Sequence, residues 1–208
     1  MIPNPEAYFR KLVPPRDALL VALEEEARQE GIPIVGPVVG ELLFILVRST
    51  QAKHILELGT ATGYSAIYLA QACDVFEGRV VTLERDAEMA KRAQANFEKA
   101  GLEHRIEIRV GDAFEEMTDM KGPFDFAFLD IDKEGYAGAL SHCERLLKPG
   151  GLLVADNVAF RGADEFNRVV SAHPHWRAVH LLSRAVHLLS LLPQHSPEKD
   201  GLCLAVRV

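Results

Sequence analysis

The chain has 208 residues, of which 48% are hydrophobic and 25% are charged, a balance that suits one globular domain and excludes a disordered chain. Its formal net charge of -7 argues against a protein whose whole surface binds nucleic acid. The apolar runs are too short to span a bilayer and the N-terminus lacks the apolar core of a signal peptide, so we expect a cytoplasmic protein. Three widely separated cysteines, without paired metal spacing, predict free thiols.

The first fifty residues predict an N-terminal helical extension. The segment from Arg16 to Gly31 has an amphipathic helical pattern and ends at a glycine suited to a helix C-cap. We expect residues 1–50 to precede a sheet and to belong to a single domain that covers residues 1–208.

Short apolar segments then alternate with helical segments. The strand-like segments, rich in branched residues, are His54–Gly59, Arg79–Glu84, Ile106–Val110, Phe124–Asp130 and Gly151–Asp156. The segments with helical periodicity are Tyr64–Cys73, Ala87–Gly101 and Gly135–Leu147. Continuous apolar strands separated by helices indicate parallel βαβ units, so the pattern predicts an α/β fold with a doubly wound, Rossmann-like sheet covered by helices on both faces. Lys148–Gly151, the sequence KPGG, is typical of a helix stop followed by a turn.

The C-terminal segment holds two features that we interpret as structural. The hexapeptide AVHLLS begins at Ala178 and again at Ala185, and solenoid repeats are much longer, so we interpret it as a local duplication that lengthens a terminal hairpin. His173 and His175 lie close together, but no third ligand is apparent in the sequence. The pair therefore predicts a surface turn rather than a metal site.

The loop LELGTATGYS, after the first predicted strand, has the nucleotide-binding geometry of an open α/β sheet. A dinucleotide fingerprint needs glycine where Ala61 stands, so the loop favours a ligand without phosphates near the helix start. Glu84 ends the next strand, where a carboxylate can accept both ribose hydroxyls, and Asp112 follows the third. A solvated strand end and a helix N-cap are the alternatives for these two acids. Because all three features end adjacent strands, adenosine binding is the preferred interpretation.

Polar side chains also end the last two predicted strands. Asp130 ends the fourth, and Asp156 with Asn157 ends the fifth. If these strands are neighbours, they lie ~4.8 Å apart and the side-chain oxygens can converge on one cation. Hard oxygen ligands suit Mg²⁺, Mn²⁺ or Ca²⁺ rather than zinc. Asp130 alone would indicate ordinary structural polarity, but the matching strand ends favour a metal site.

Five segments together resemble the cation-dependent O-methyltransferases of the catechol and caffeoyl-CoA type. They are ILELGTATGYSAIYLA, TLERD, GDAF, FLDIDKEGY and LLVADNVAFRG, and the resemblance is strongest from Gly40 to Gly162. It implies an S-adenosylmethionine-dependent enzyme with a seven-stranded, mostly parallel sheet that ends in an antiparallel hairpin, and it implies a homodimer.

The resemblance also assigns roles to individual residues. On the methionine side of the cofactor it places Glu57, Gly59, Gly63, Tyr64 and Ser65; Glu84 holds the ribose, Asp112 and Ala113 lie near the adenine, and Thr60, Arg85 and Asp130 complete the cofactor-binding set. The metal ligands are Asp130, Asp156 and Asn157, with Mg²⁺ the preferred cation. Lys133 is the general base, with Asp130 as its catalytic neighbour, because a nearby cation helps an amine to release its proton. The alternative for Lys133 is a surface lysine paired with Asp132 or Glu134.

Three hypotheses about function follow. The first is a metal-dependent O-methyltransferase acting on a small vicinal dihydroxy aromatic, since the segment after Asn157 is short compared with that of plant family members and argues against bulky caffeoyl-CoA. The second keeps the chemistry but methylates a hydroxylated uridine in tRNA, for which a basic patch would consist of Arg161, Arg168, Arg177 and Arg184. The third is a non-catalytic cofactor-binding module, and the presence of Lys133 with every metal position argues against it.

Overall fold

A seven-stranded sheet forms the centre of the structure, a computed structural model that describes residues 3, 8, 9, 11–182 and 200–208. Its strands are β1 (His54–Leu58), β2 (Arg79–Glu84), β3 (Ile106–Val110), β4 (Phe124–Leu129), β5 (Leu147–Ala155), β6 (Trp176–Leu182) and β7 (Gly201–Arg207). The strand order is β3-β2-β1-β4-β5-β7-β6. Strands β1 to β5 pair in parallel, whereas β7 is antiparallel to both β5 and β6. The predicted fold class, including the antiparallel C-terminal hairpin, is confirmed.

The helices that the structure describes are α1 (Ala18–Glu30), α2 (Gly36–Thr50), α3 (Tyr64–Cys73), α4 (Ala87–Ala100), α5 (Ala113–Asp119), α6 (Tyr136–Leu146) and α7 (Asp164–Ala172). Four of these helices, α1, α3, α4 and α6, begin and end close to their predicted limits, and three more had no predicted limits. Local chemistry fixes the ends: the Asp17 carboxylate accepts from the Leu20 N–H at 2.8 Å, and Gly31 closes α1 in the left-handed conformation, as predicted.

The helices cover both faces of the sheet. Side chains of α1 to α4 pack with strand residues such as Ile55 and Phe128, whereas α5 to α7 pack with strand residues such as Leu56 and Leu129. Adjacent strand positions face opposite ways, which explains why continuous apolar strands supply two cores. The N-terminal helices share the first core through Leu23, among others, which favours the predicted single domain.

Strand β5 differs from the prediction at its start. It begins at Leu147 rather than Gly151, and its pairing with β4 shifts between Phe124↔Leu147 and Phe126↔Leu152. The exposed residues between these pairs, with Gly150 at a φ of +79°, loop out as an irregularity inside the strand. The expected KPGG turn is therefore absorbed into β5.

The C-terminal region is described in part. The first AVHLLS copy enters β6, whereas the second copy lies outside the described residues. All three cysteines are buried and free, as predicted. Among the residues that the structure describes, no helix combines the length and the apolar character needed to cross a membrane.

Candidate active site

A cleft of about 890 Å³ opens at the carboxyl ends of the parallel strands. Residues that follow β1, β2, β3, β4 and β5 line it, respectively Gly59, Arg85, Gly111, Asp130 and Asn157. Open α/β sheets bind ligands at this edge because the loops that follow parallel strands all emerge there.

The loop after β1 approaches β4 so closely that its first residue must be glycine. A Cβ on Gly59 would lie 2.1 Å from the carbonyl oxygen of Asp130, and the φ of Gly59 is +97°. Gly63 has a different role, since a Cβ there would meet the Phe97 ring of α4 at 2.4 Å. Gly63 therefore packs against a helix behind the loop, while Gly59 faces the cleft.

Glu84 fastens this loop to the end of β2. Its Oε2 accepts hydrogen bonds from the backbone N–H groups of Thr60 at 3.2 Å and Ala61 at 2.8 Å. Its Oε1 accepts from the Asp86 N–H at 2.9 Å. Ala61 has a φ of +46°, a conformation that these bonds help to hold. Glu84 therefore both holds the loop and lines the cleft, so it is more than a solvated strand end.

Glu57 lies beneath the loop in the interior. It is fully buried, and its Oε2 accepts from the Thr82 hydroxyl at 2.6 Å, while that hydroxyl also contacts Thr60 Oγ1 at 2.5 Å. Burial raises the pKa of Glu57 to about 7, and the hydrogen bond from Thr82 opposes this rise. Glu57 therefore supports the loop from behind and is not part of the cleft wall that the structure describes.

Tyr64, the first residue of α3, connects the cleft to the N-terminal helices. Its hydroxyl donates to Glu24 Oε1 at 2.7 Å, and Glu24 accepts two hydrogen bonds from Arg16, at 2.9 and 3.0 Å. Burial raises the pKa of Tyr64, so its hydroxyl remains a donor. This network holds α1 against α3, the helix that follows the loop from Gly59 to Gly63.

Strands β4 and β5 end side by side, as the metal-site prediction requires. Leu129 pairs with Ala155, and the next backbone N–H, that of Asp156, donates to the Leu129 carbonyl at 3.1 Å. Asp130 and Asn157 line the cleft, whereas Asp156 is 1% exposed behind them. The donor set of two carboxylates and one amide fits a hard divalent cation. The charges also fit, since negative aspartates raise the pKa of the nearby, buried Tyr136 further than burial alone does.

Lys133 supplies the positive charge beside Asp130. Its Nζ donates to Asp130 Oδ1 at 2.6 Å and to the Ile131 carbonyl at 3.0 Å. Its side chain is 19% exposed, so the pair is largely shielded from water. Neither alternative partner of Lys133, Asp132 or Glu134, pairs with it among the described residues, and Asp132 instead binds Arg85 at 2.7 Å in an exposed ion pair.

Tyr136 fixes the two strand ends from within. Its hydroxyl lies 3.1 Å from the Leu129 carbonyl and 2.9 Å from the Asp156 carbonyl, and the side chain is fully buried. One donor shared by two carbonyls ties β4 to β5 beside the predicted metal ligands. The FLDIDKEGY segment contains this residue, but its period and spacing give no signal for the contact.

The predicted site residues divide between the cleft wall and the layer behind it. The wall contains Gly59, Thr60, Tyr64, Ser65, Glu84, Arg85, Asp112, Ala113, Asp130, Lys133 and Asn157. Three predicted residues, Glu57, Gly63 and Asp156, lie behind it. Asp112 also caps α5 by accepting from the Phe114 N–H at 2.9 Å, so its two alternative roles coexist.

Sequence reasoning missed part of the wall. The connection between α1 and α2 contributes Ile32, Pro33, Ile34 and Val35, and the segment after β5 contributes Phe160 and Gly162. The four residues between α1 and α2 could have been predicted, because they form a short apolar run outside both helices. Apolar residues in a connection need another surface to contact, and here they line the cleft.

The predicted surface turn at His173 and His175 lies before β6, and folding adds a third candidate ligand that the sequence did not show. Glu144 near the end of α6 contacts His175 Nδ1 at 2.5 Å and His173 Nε2 at 3.5 Å. The cluster lies at the amino ends of the parallel strands, at the opposite edge from the cleft. His173 Nδ1 accepts from the His175 N–H at 3.3 Å, which places the proton of a neutral ring on Nε2, facing Glu144. These contacts favour a hydrogen-bonded cluster of the three side chains.

The arginines proposed as a basic patch have separate surroundings. Arg161 lines the cleft, Arg168 pairs with Asp164 at 3.2 Å, and Arg177 is an exposed residue of β6. Arg184 lies outside the described residues.

The sheet order, the Gly59 loop and the polar strand ends together define a Rossmann-like enzyme that binds a nucleoside-type ligand at the edge of a doubly wound sheet. Residues 17–184 match the model of the O-methyltransferase family, and the chain belongs to that family. This confirms the predicted resemblance and the predicted enzyme class, an S-adenosylmethionine-dependent O-methyltransferase.

Named relatives support the same assignment. The chain is 35% identical to a catechol O-methyltransferase of Niastella koreensis over 96% of this chain and 94% of that protein. It is 35% identical to a caffeoyl-CoA O-methyltransferase of Zea mays over 60% of this chain and 49% of that protein. An O-methyltransferase from Bacillus cereus in complex with SAH superimposes with a TM-score of 0.83 at 29% identity, covering 98% of this chain and 96% of that one. The tRNA alternative gains no support from these relatives. The metal, the acceptor and the homodimer stay predictions.

Proposed function

We propose that this protein transfers a methyl group from S-adenosylmethionine to one hydroxyl of a small catechol-like acceptor, with a divalent cation held by Asp130, Asp156 and Asn157. The observation that carries the proposal is that these three residues follow the paired ends of β4 and β5, where Asp130 and Asn157 line the cleft and Asp156 lies buried beside them. The catechol O-methyltransferase relative and the SAH complex of the Bacillus cereus enzyme agree with it.

The cofactor would extend along the strand ends from β1 to β3. The Gly59 loop, with Tyr64 and Ser65, is the proposed contact for the methionine part. The lone pairs of Glu84 that the loop amides leave unused are suited to ribose hydroxyls, as acidic residues at this position of such sheets are. Asp112 and Ala113 form the proposed adenine end, where Phe114 adds an apolar surface to the cleft.

Magnesium is the cation we propose, since carboxylate and amide oxygens suit hard divalent cations, Mn²⁺ and Ca²⁺ among them. When bound, a divalent cation would orient two neighbouring acceptor oxygens and make a hydroxyl easier to deprotonate.

Lys133 is the proposed base. Methyl transfer from a sulfonium is an in-line displacement, and holding the acceptor oxygen in line supplies much of the rate. Lys133 Nζ accepts the proton of the acceptor hydroxyl, and the resulting ammonium is stabilised by Asp130 and by the Ile131 carbonyl. The 2.6 Å ion pair with Asp130 corresponds to this protonated state.

The acceptor is proposed to be small because the wall beyond β5 is short. After Asn157 the chain passes through a single 3₁₀ turn, Arg161–Ala163, before α7 begins at Asp164. Phe160 is 39% exposed and lines the cleft, so an aromatic acceptor has an aromatic surface to pack against.

The test measures methyl transfer from labelled S-adenosylmethionine to a panel of catechols, and separately to undermodified tRNA, with Mg²⁺ and with EDTA. We expect label on a catechol, its loss with EDTA, and its recovery when excess Mg²⁺ is added. Asp130→Asn should abolish transfer, whereas Asp119→Asn, the same change at an exposed residue of α5, should leave it intact. EDTA-resistant transfer would remove the metal from the proposal, and transfer to tRNA alone would replace the acceptor.

A further inference from the structure

Asp200 contacts Asn157 and does not belong to the cleft lining. It immediately precedes β7 and is 3% exposed. Its Oδ2 accepts a hydrogen bond from Asn157 Nδ2 at 2.6 Å, and its Oδ1 accepts from the Gly201 N–H at 2.7 Å. The Val158 N–H also donates to the Gly201 carbonyl at 3.0 Å. The start of β7 is therefore joined to the loop that carries a proposed metal ligand.

The chemistry of the two side chains makes this contact directional. The two ends of an asparagine amide have nearly the same shape, but one is an acceptor and the other a donor. Asp200 Oδ2 accepts from the amide nitrogen, so Nδ2 is the amide end that faces Asp200. The oxygen Oδ1 is then the end that remains for the cleft, which Asn157 lines.

The backbone of Asn157 is constrained as well. Its φ is +54°, in the left-handed region that asparagine tolerates better than most residues, and its N–H donates to Asp156 Oδ1 at 2.8 Å. With the backbone held on one side and the amide nitrogen on the other, little freedom remains in the side chain.

We infer that Asp200 is a positioning residue that selects the amide orientation in which Asn157 presents its oxygen, rather than its NH₂ group, to the cation. This rests on the proposed function, in which Asn157 is a metal ligand. Without Asp200 the amide can turn over, and its NH₂ group would then repel the cation that its oxygen should bind.

The test measures Mn²⁺ affinity by the electron paramagnetic resonance signal of the free ion, with the protein saturated with S-adenosylhomocysteine. Asp200→Asn should weaken Mn²⁺ binding about 10–100-fold, as the loss of a residue that orients a metal ligand does. The thermal midpoint and the affinity for S-adenosylhomocysteine, measured on the same samples, show whether each variant is folded. Asp200→Ser is the second variant, because a hydroxyl can donate as well as accept and likewise removes the constraint.

A double-mutant cycle separates orientation from the charge of Asp200. Asn157→Ala removes the amide, so adding Asp200→Asn to it should change Mn²⁺ affinity by less than about twofold. If Asp200 acted through its charge alone, the second substitution would weaken binding again by its full factor, and the inference would be overturned. Wild-type affinity in Asp200→Asn and Asp200→Ser would overturn it too. Wild-type protein that binds no Mn²⁺ would overturn the proposed metal site and this inference together.

Discussion

The contact between Gly59 and β4 gives the sharpest test of how the fold builds the site. Gly59→Ala would place a Cβ 2.1 Å from the Asp130 carbonyl oxygen and 2.8 Å from its carbonyl carbon. Gly101→Ala is the matched control, since Gly101 also has a positive φ, +68°, but a Cβ there meets nothing within 4 Å. The two variants share the backbone strain and differ in the overlap.

The magnitudes follow from these two contributions. An alanine in the left-handed region costs about 1–2 kcal/mol, and an overlap that forces a backbone shift adds about 1–3 kcal/mol. Gly101→Ala should thus lower the free energy of unfolding by about 1–2 kcal/mol and Gly59→Ala by about 2–5 kcal/mol. In a chain of this size, each kcal/mol corresponds to about 2–4 °C in Tm.

Urea unfolding measures the stability difference, and calorimetric titration with S-adenosylhomocysteine measures its effect on the site. Because the overlap displaces the backbone of Asp130, we expect Gly59→Ala to raise the Kd at least about tenfold, or about 1.4 kcal/mol. Gly101→Ala should stay within about twofold of the wild type. Equal destabilisation and equal affinity in both variants would refute the reasoning that this close approach shapes the site.

Three further changes test the catalytic, structural and ionisation roles. Lys133→Met should lower kcat by about 10²–10⁴ with little change in the KM for S-adenosylmethionine. Lys133→Arg should be equally slow, because a guanidinium stays charged and cannot accept a proton. If the initial rate of Lys133→Arg equals that of the wild type, Lys133 is not the base. Tyr136→Phe removes the buried hydroxyl that joins the Leu129 and Asp156 carbonyls and should cost about 1–3 kcal/mol in urea unfolding, so an unchanged midpoint would contradict that role. Burial raises the pKa of Glu57 from 4.5 to about 7, so the stability it contributes is fully present below pH 4.5 and is lost as the pH rises through about 7. Glu57→Gln should flatten this decline, on the order of 3 kcal/mol, in urea midpoints from about pH 5 to about pH 8; an unchanged slope would assign it to another group.

The strand-end chemistry was readable from the sequence because it depends on local order. An apolar segment that ends in an acidic residue, Glu84 or Asp130, predicts both a strand and a polar group at its carboxyl end. The carboxyl ends of parallel strands lie at one edge of the sheet, so the sequence also predicts where these groups gather. The same reasoning assigned too many residues to the cleft wall, because residues adjacent in sequence can lie in the cleft or in the interior. Asp156 turns inward while Asn157 lines the cleft, and the sequence contains no signal for that division.

Sequence alone determined the five parallel strands, three of the helices between them and the loop that begins at Gly59, because periodicity and turn chemistry act over a few residues. Only the tertiary structure decided which distant groups meet. Asp200 reaches Asn157 across 43 residues of chain, and the segment around Ile34 closes a cleft built by strands that follow it. Such contacts arise when helices and strands pack to bury their apolar faces, so their polar partners are set by the packed geometry and not by spacing along the chain.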